Sequence, residues 1–77
     1  MKEEYAVVLV HSTSHAIRGE RLLSGAGVPC RLIPVPRYLS SDCGSCIRIK
    51  SGDSERAESL LRDGGVGVEA VKPYGPL

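Results

Sequence analysis

Two thiols three positions apart, Cys43 and Cys46, bracket Gly44 and Ser45 at the end of a stretch from Pro34 that is rich in Pro, Ser and Gly. Such a composition favours an irregular loop over a core element. A CxxC pair can act as a redox couple, as half of a metal site, or as a nucleophile with a resolving thiol. The thioredoxin form of that chemistry needs the pair to open a helix, whose N-terminus lowers the pKa of the first thiol. Here the motif runs into the alternating segment Ile47 to Lys50, so a thioredoxin-type site is disfavoured. A Cys43 thiolate would draw instead on Arg37 and Arg48 and on the helix expected to begin after Ser12 and Thr13, with His11 as base or ion-pair partner.

Other residues offer weaker alternatives. Cys43 and Cys46 with His11, and with His15 four positions on, have the donor types of a tetrahedral zinc or soft-metal site, although the leading reading contains no metal. His15 falls in a first helical turn and reads as a solvated residue. The Ser12 and Thr13 hydroxyls at a helix N-terminus form an anion-binding candidate that ordinary capping explains equally well. Cys30 reads as a small buried hydrophobe, too far from Cys43 for a disulfide.

The elements that must position these groups follow from periodicity. Tyr5 to Val10 is an uninterrupted apolar run, as in a central strand covered on both faces. Beyond the caps Ser12 and Thr13, residues Ala16, Gly19, Leu22, Leu23 and Ala26 recur at helical spacing until Gly25 and Gly27 stop the helix. Gly19 inside that stripe is expected where the helix lies close to a sheet. Val28 to Ile33 forms a second strand ended by Pro34 and Pro36. Cys46 to Lys50 alternates, with Ile47 and Ile49 inward and Cys46, Arg48 and Lys50 on an outward, accessible face. Asp53 or Ser54 caps a second helix with Ala57, Leu60 and Leu61 buried, and Gly64 and Gly65 end it. Val66, Val68 and Ala70 give a last strand, and residues 72–77 are expected to be an irregular tail.

The order β, α, β, β, α, β implies a single α+β domain with the ferredoxin-like split βαβ arrangement: a four-stranded antiparallel sheet with both helices on one face. Strand three then runs antiparallel to strand one, which brings the Cys43 region beside His11 and the first turn of helix one.

Composition narrows the function. At 77 residues with 42% apolar and 25% charged side chains, the chain suits one small globular domain with a thin core. A net charge of +1, with no run of Lys and Arg, gives no footprint for nucleic acid. The run Ala6 to Val10 is far short of the roughly 20 residues needed to span a bilayer, and it lacks the features of a signal peptide. No membrane association is therefore expected, and the protein is expected in the cytoplasm. There an odd count of three cysteines favours reactive or buried thiols over a disulfide framework.

His11-Ser12-Thr13, Arg31-Leu32-Ile33-Pro34 and above all Pro36-Arg37-x-Leu39-Ser40-Ser41-x-Cys43-Gly44 occur in the order found in a family of small prokaryotic proteins. Over roughly Tyr5 to Val71 the chain resembles the selenium/sulfur carrier protein-like family. The resemblance implies a stand-alone βαββαβ domain associated with selenium or sulfur metabolism, with the carrier residue at Cys43. The position of Cys46 is typically apolar in that family, so the second thiol is a feature of this chain. On this reading Cys43 accepts sulfur or selenium as a persulfide or selenopersulfide, and donor and acceptor proteins are its partners. No cofactor is implied beyond the covalently carried atom. The competing readings are a non-catalytic binding module using its exposed sheet face, with a homodimer as the simplest assembly, and a small zinc or copper site through Cys43 and Cys46.

Overall fold

A computed structural model of the chain describes residues 4–39 and 44–74. Its elements are β1 (Tyr5–Val10), α1 (Thr13–Gly25), β2 (Cys30–Pro34), β3 (Ser45–Lys50), a short 3-10 turn (Ser51–Asp53), α2 (Ser54–Asp63) and β4 (Val68–Tyr74). The four strands form one antiparallel sheet in the order β2-β3-β1-β4, the ferredoxin-like topology expected from the element order.

Strand alternation divides the molecule into two apolar clusters. Ala6, Val8 and Val10 of β1 and Ile47 and Ile49 of β3 point to the helices, where they meet Ala16 and Leu23 of α1 and Ala57 and Leu61 of α2. Val7, Leu9 and Cys46 point the other way into a smaller cluster. β1 is thus apolar on both sides because both sides are covered, the condition under which a strand loses its polar alternation.

The two helices end in the same way. Leu22-Leu23-x-x-x-Gly27-Val28 and Leu60-Leu61-x-x-x-Gly65-Val66 share one spacing. Gly27 and Gly65 both adopt positive φ, at 80° and 78°. The following Val28 and Val66 amides donate back to Leu23 and Leu61 carbonyls, each at 2.9 Å. This is a Schellman stop, in which glycine accepts the left-handed conformation and the next apolar side chain seals the helix end.

Gly19 confirms the close approach of α1 to the sheet. A Cβ built there would lie 2.7 Å from Ile47 Cδ1 and 2.9 Å from Leu61 Cδ2. The expected result for Gly19→Ala is therefore a net loss of stability: overpacking costs about 1–3 kcal/mol, while the gain in helix propensity is only about 1 kcal/mol. A denaturant midpoint at or above that of the wild type would contradict this packing.

Several strand boundaries depart from the periodicity. β2 begins at Cys30 and keeps Pro34 as its last residue, because its partner β3 supplies Ser45 opposite. Val66 belongs to the turn after α2, and the final strand runs on through Lys72, Pro73 and Tyr74 where a tail was expected. Pro73 is tolerated because β4 is an edge strand. The β1–β4 register also slips between Leu9 and Val10, which face Ala70 and Val68. That bulge leaves Glu69 as the extra residue and turns Ala70 to the face opposite Val68.

Candidate functional site

Cys43 and its neighbours Ser40, Ser41 and Asp42 lie outside the described residues, but both ends of the segment that carries them are fixed. The β2–β3 ladder extends beyond the strands through the Val35 amide, which donates to the Gly44 carbonyl at 3.2 Å. From Val35 the chain turns back over the face of the sheet that the helices leave open. The Leu39 amide donates to the Pro36 carbonyl at 3.0 Å, closing a turn. The Tyr38 hydroxyl reaches across to the far edge, donating to the Pro73 carbonyl at 3.4 Å. Val35 to Leu39 is thus a strap laid across the sheet.

The strap explains why one expectation fails. Cys46 does share the face of Arg48 and Lys50, since it pairs with Leu9 on one side and Ile33 on the other. It is not accessible there. Val35 and Leu39 of the strap, with Ile33, Ala70 and Tyr74, pack over Val7, Leu9 and Cys46 and leave the cysteine 0% exposed. Its Sγ points to the Pro34 carbonyl at 3.9 Å. A thiol closed into an apolar cluster behaves as a small hydrophobe and meets neither a partner protein nor a metal ion without the strap moving.

Cys30 stands on the opposite side of the sheet, half-buried against the first helix and packed on the helix-side core. Its Sγ donates to the Glu20 carbonyl at 3.5 Å and lies 3.5 Å from Ser24 Oγ. The fold therefore separates Cys30 and Cys46 by the thickness of the sheet.

At the end of β1 the histidines serve geometry. Ser12 caps α1, its Oγ accepting from the His15 amide at 3.3 Å, so the expected capping role holds. Thr13 is the first helical residue and is exposed. His15 is more than a solvated residue: its Nδ1 accepts the Gly67 amide at 2.8 Å and ties the first turn of α1 to the start of β4. The His11 amide donates to the Gly67 carbonyl at 3.1 Å, and the two imidazoles meet edge to face at 6.3 Å. His15 consequently has its Nδ1 lone pair engaged. His11 is exposed, and the register sets the end of β1 beside the start of β3, as the topology requires.

The two arginines assigned to the site diverge. Arg37 is exposed on the strap. Arg48 turns away from Cys46 and lays its guanidinium over the Tyr5 ring, 4.6 Å from the centroid. Among the described residues no three His, Cys, Asp or Glu side chains cluster as metal ligands would. Of the alternative metal set, Cys46 is enclosed, His11 is exposed, and Cys43 lies outside the described residues.

Set against known proteins, residues 4–73 match the model of a family described as "Putative Se/S carrier protein-like". No curated protein and no solved structure matches the chain.

Proposed function

Since the chain belongs to the Se/S carrier protein-like family, we propose that it carries sulfur or selenium on Cys43. The observation that carries this choice of residue is the enclosure of Cys46, together with the engagement of Cys30 beneath α1. Cys46 is committed to packing, Cys30 is half-buried and engaged by Glu20 and Ser24 on the opposite side of the sheet, and the third thiol is the one that the family motif marks.

The transfer is a thiolate exchange. The Cys43 thiolate attacks the outer sulfur of a donor persulfide, the S–S bond of the donor breaks, and the donor thiolate leaves with the electron pair. The product is a Cys43 persulfide, and neither oxidant nor reductant is consumed. Selenium moves in the same way from a donor selenopersulfide. Arg37 supplies positive charge near the anion, and His11 takes or returns the proton of the thiol. Delivery repeats the exchange in the other direction, with an acceptor thiolate attacking the carried atom. A carrier of this kind needs an accessible thiol and no deep pocket, which suits a 77-residue domain.

Exposing the reduced protein to glutathione persulfide and recording its intact mass tests the reading. One added sulfur atom, removed by dithiothreitol and mapped to the peptide containing Cys43, is the expected result. A protein that stays unmodified, or one whose label maps to Cys30, sinks it.

A further inference from the structure

The net charge of +1 conceals one basic face. Every cation in the strands, Arg31, Arg48, Lys50 and Lys72, alternates onto the face away from the helices, because Cys30, Ile47, Ile49 and Val71 occupy the helix side. The strands contain one carboxylate, Glu69, at the bulge near the far end of β4. The helices are balanced by comparison, with Glu20, Glu55, Glu58 and Asp63 set against Arg18, Arg21, Arg56 and Arg62.

The part of that face clear of the strap has a shape. A cleft of about 310 Å³ lies at its β2–β3 side, lined by Tyr5, Pro29, Arg31, Arg48 and Lys50, and also by Cys30 and Ile49, whose side chains turn to the helix side. Arg31 and Arg48 face each other directly across the β2–β3 ladder. Like charges in that position are destabilising, and among the described residues no carboxylate pairs with either. Arg48 sits over the Tyr5 ring, its guanidinium carbon 4.6 Å from the centroid, which limits its freedom. Two guanidiniums side by side are matched by a dianion presenting several acceptor oxygens, which a terminal phosphate does and a phosphodiester does not. The cleft has the volume of about ten water molecules, more than an inorganic ion fills, and Pro29 gives the remainder an apolar contact.

We propose that this cleft is a binding site for a small phosphate monoester, its phosphate held by Arg31 and Arg48 and its organic body lying against Tyr5 and Pro29. The site is independent of Cys43, so its test can fail or succeed without touching the carrier reading.

Adenosine monophosphate is the probe, titrated by NMR and calorimetry alongside adenosine, inorganic phosphate and a six-nucleotide oligothymidylate without terminal phosphate. The nucleotide is expected to bind at least 10-fold more tightly than adenosine or inorganic phosphate, with shifts centred on the amides of Tyr5, Arg31 and Arg48. Arg31→Ala and Arg48→Ala should each weaken it by 10-fold or more. Lys72→Ala, on the far edge strand, should change it less than 2-fold. Both arginine variants are expected to fold, since each removes one member of a like-charged pair, and an unchanged amide spectrum verifies this. Equal affinity for nucleotide and nucleoside overturns the proposal, as does indifference to both arginine substitutions. Tighter binding of the oligonucleotide, lost equally with Lys72→Ala, also overturns it, because that pattern belongs to a diffuse polyanion surface.

Discussion

Cys43→Ser protein is expected to take up no sulfur from a persulfide donor, while Cys46→Ala and Cys30→Ala take up as much as the wild type. The effect is all or none because serine at physiological pH offers a neutral hydroxyl, whereas thiolate is the nucleophile in exchange. The two control variants differ in what else they disturb. Cys46 is 0% exposed in the strap-side cluster, and trimming a buried side chain leaves part of its volume empty. Cys46→Ala should therefore unfold at lower denaturant yet keep its uptake. A Cys46→Ala protein that is folded and inert would mean that the second thiol resolves or passes on the carried atom, and that the strap lifts to let it do so.

The second large effect concerns the strap itself. Cys46 is expected to react with iodoacetamide about 100-fold more slowly in the native protein than in denaturant. Reaching it requires the strap to lift, which gives up the contacts of Val35 and Leu39. Full burial of one such side chain is worth about 1.5–3 kcal/mol. An opening free energy near 3 kcal/mol corresponds to roughly 100-fold protection, at about 1.4 kcal/mol per decade. Leu39→Ala should recover 10-fold or more of the lost rate and lower global stability by a matching amount of about 1.4 kcal/mol, since the Leu39 contacts are lost equally on strap opening and on unfolding. Peptide-resolved mass spectrometry over a labelling time course gives both rates. Equal labelling in native and denatured protein would mean that the strap does not cover the thiol in solution.

What the sequence made legible was whatever each element states locally. The apolar run of β1, the helical stripe ending at Ala26 and the alternation of Ile47 with Ile49 each announce one period, and together they determine the topology. The burial of Cys46 is not legible locally because its cover comes from a segment without a period. Val35 and Leu39 stand among prolines and serines, and nothing local says that they fold back over Leu9. The full extent of the last strand is hidden for a related reason: Pro73 reads as a breaker unless its edge position is known, and the bulge at Glu69 breaks the two-residue rhythm. Both helix stops were legible from their glycines, and the repeated Leu-Leu-x-x-x-Gly-Val narrows them to Gly27 and Gly65. Arg48 could be placed on the open face from alternation, but its stacking on Tyr5 needed the β1–β3 register, in which Tyr5 pairs with Lys50 and Val7 with Arg48.

The central position of β1 also governs when this chain can fold. Its neighbours are β3 and β4, and Tyr5 is matched on one side by Lys50 and on the other by Tyr74. The most apolar strand is thus the first made, and it waits for the last one to complete its pairing. At a synthesis rate of roughly 5–20 residues per second, several seconds pass between the appearance of Val10 and that of Tyr74. During that interval Val7, Val8 and Leu9 have no finished sheet to enter, while closure of such a long-range pairing would take far less time once both strands are present. On the ribosome the sheet therefore cannot be completed until the last strand has emerged, and β1 stays without one of its two neighbours until then.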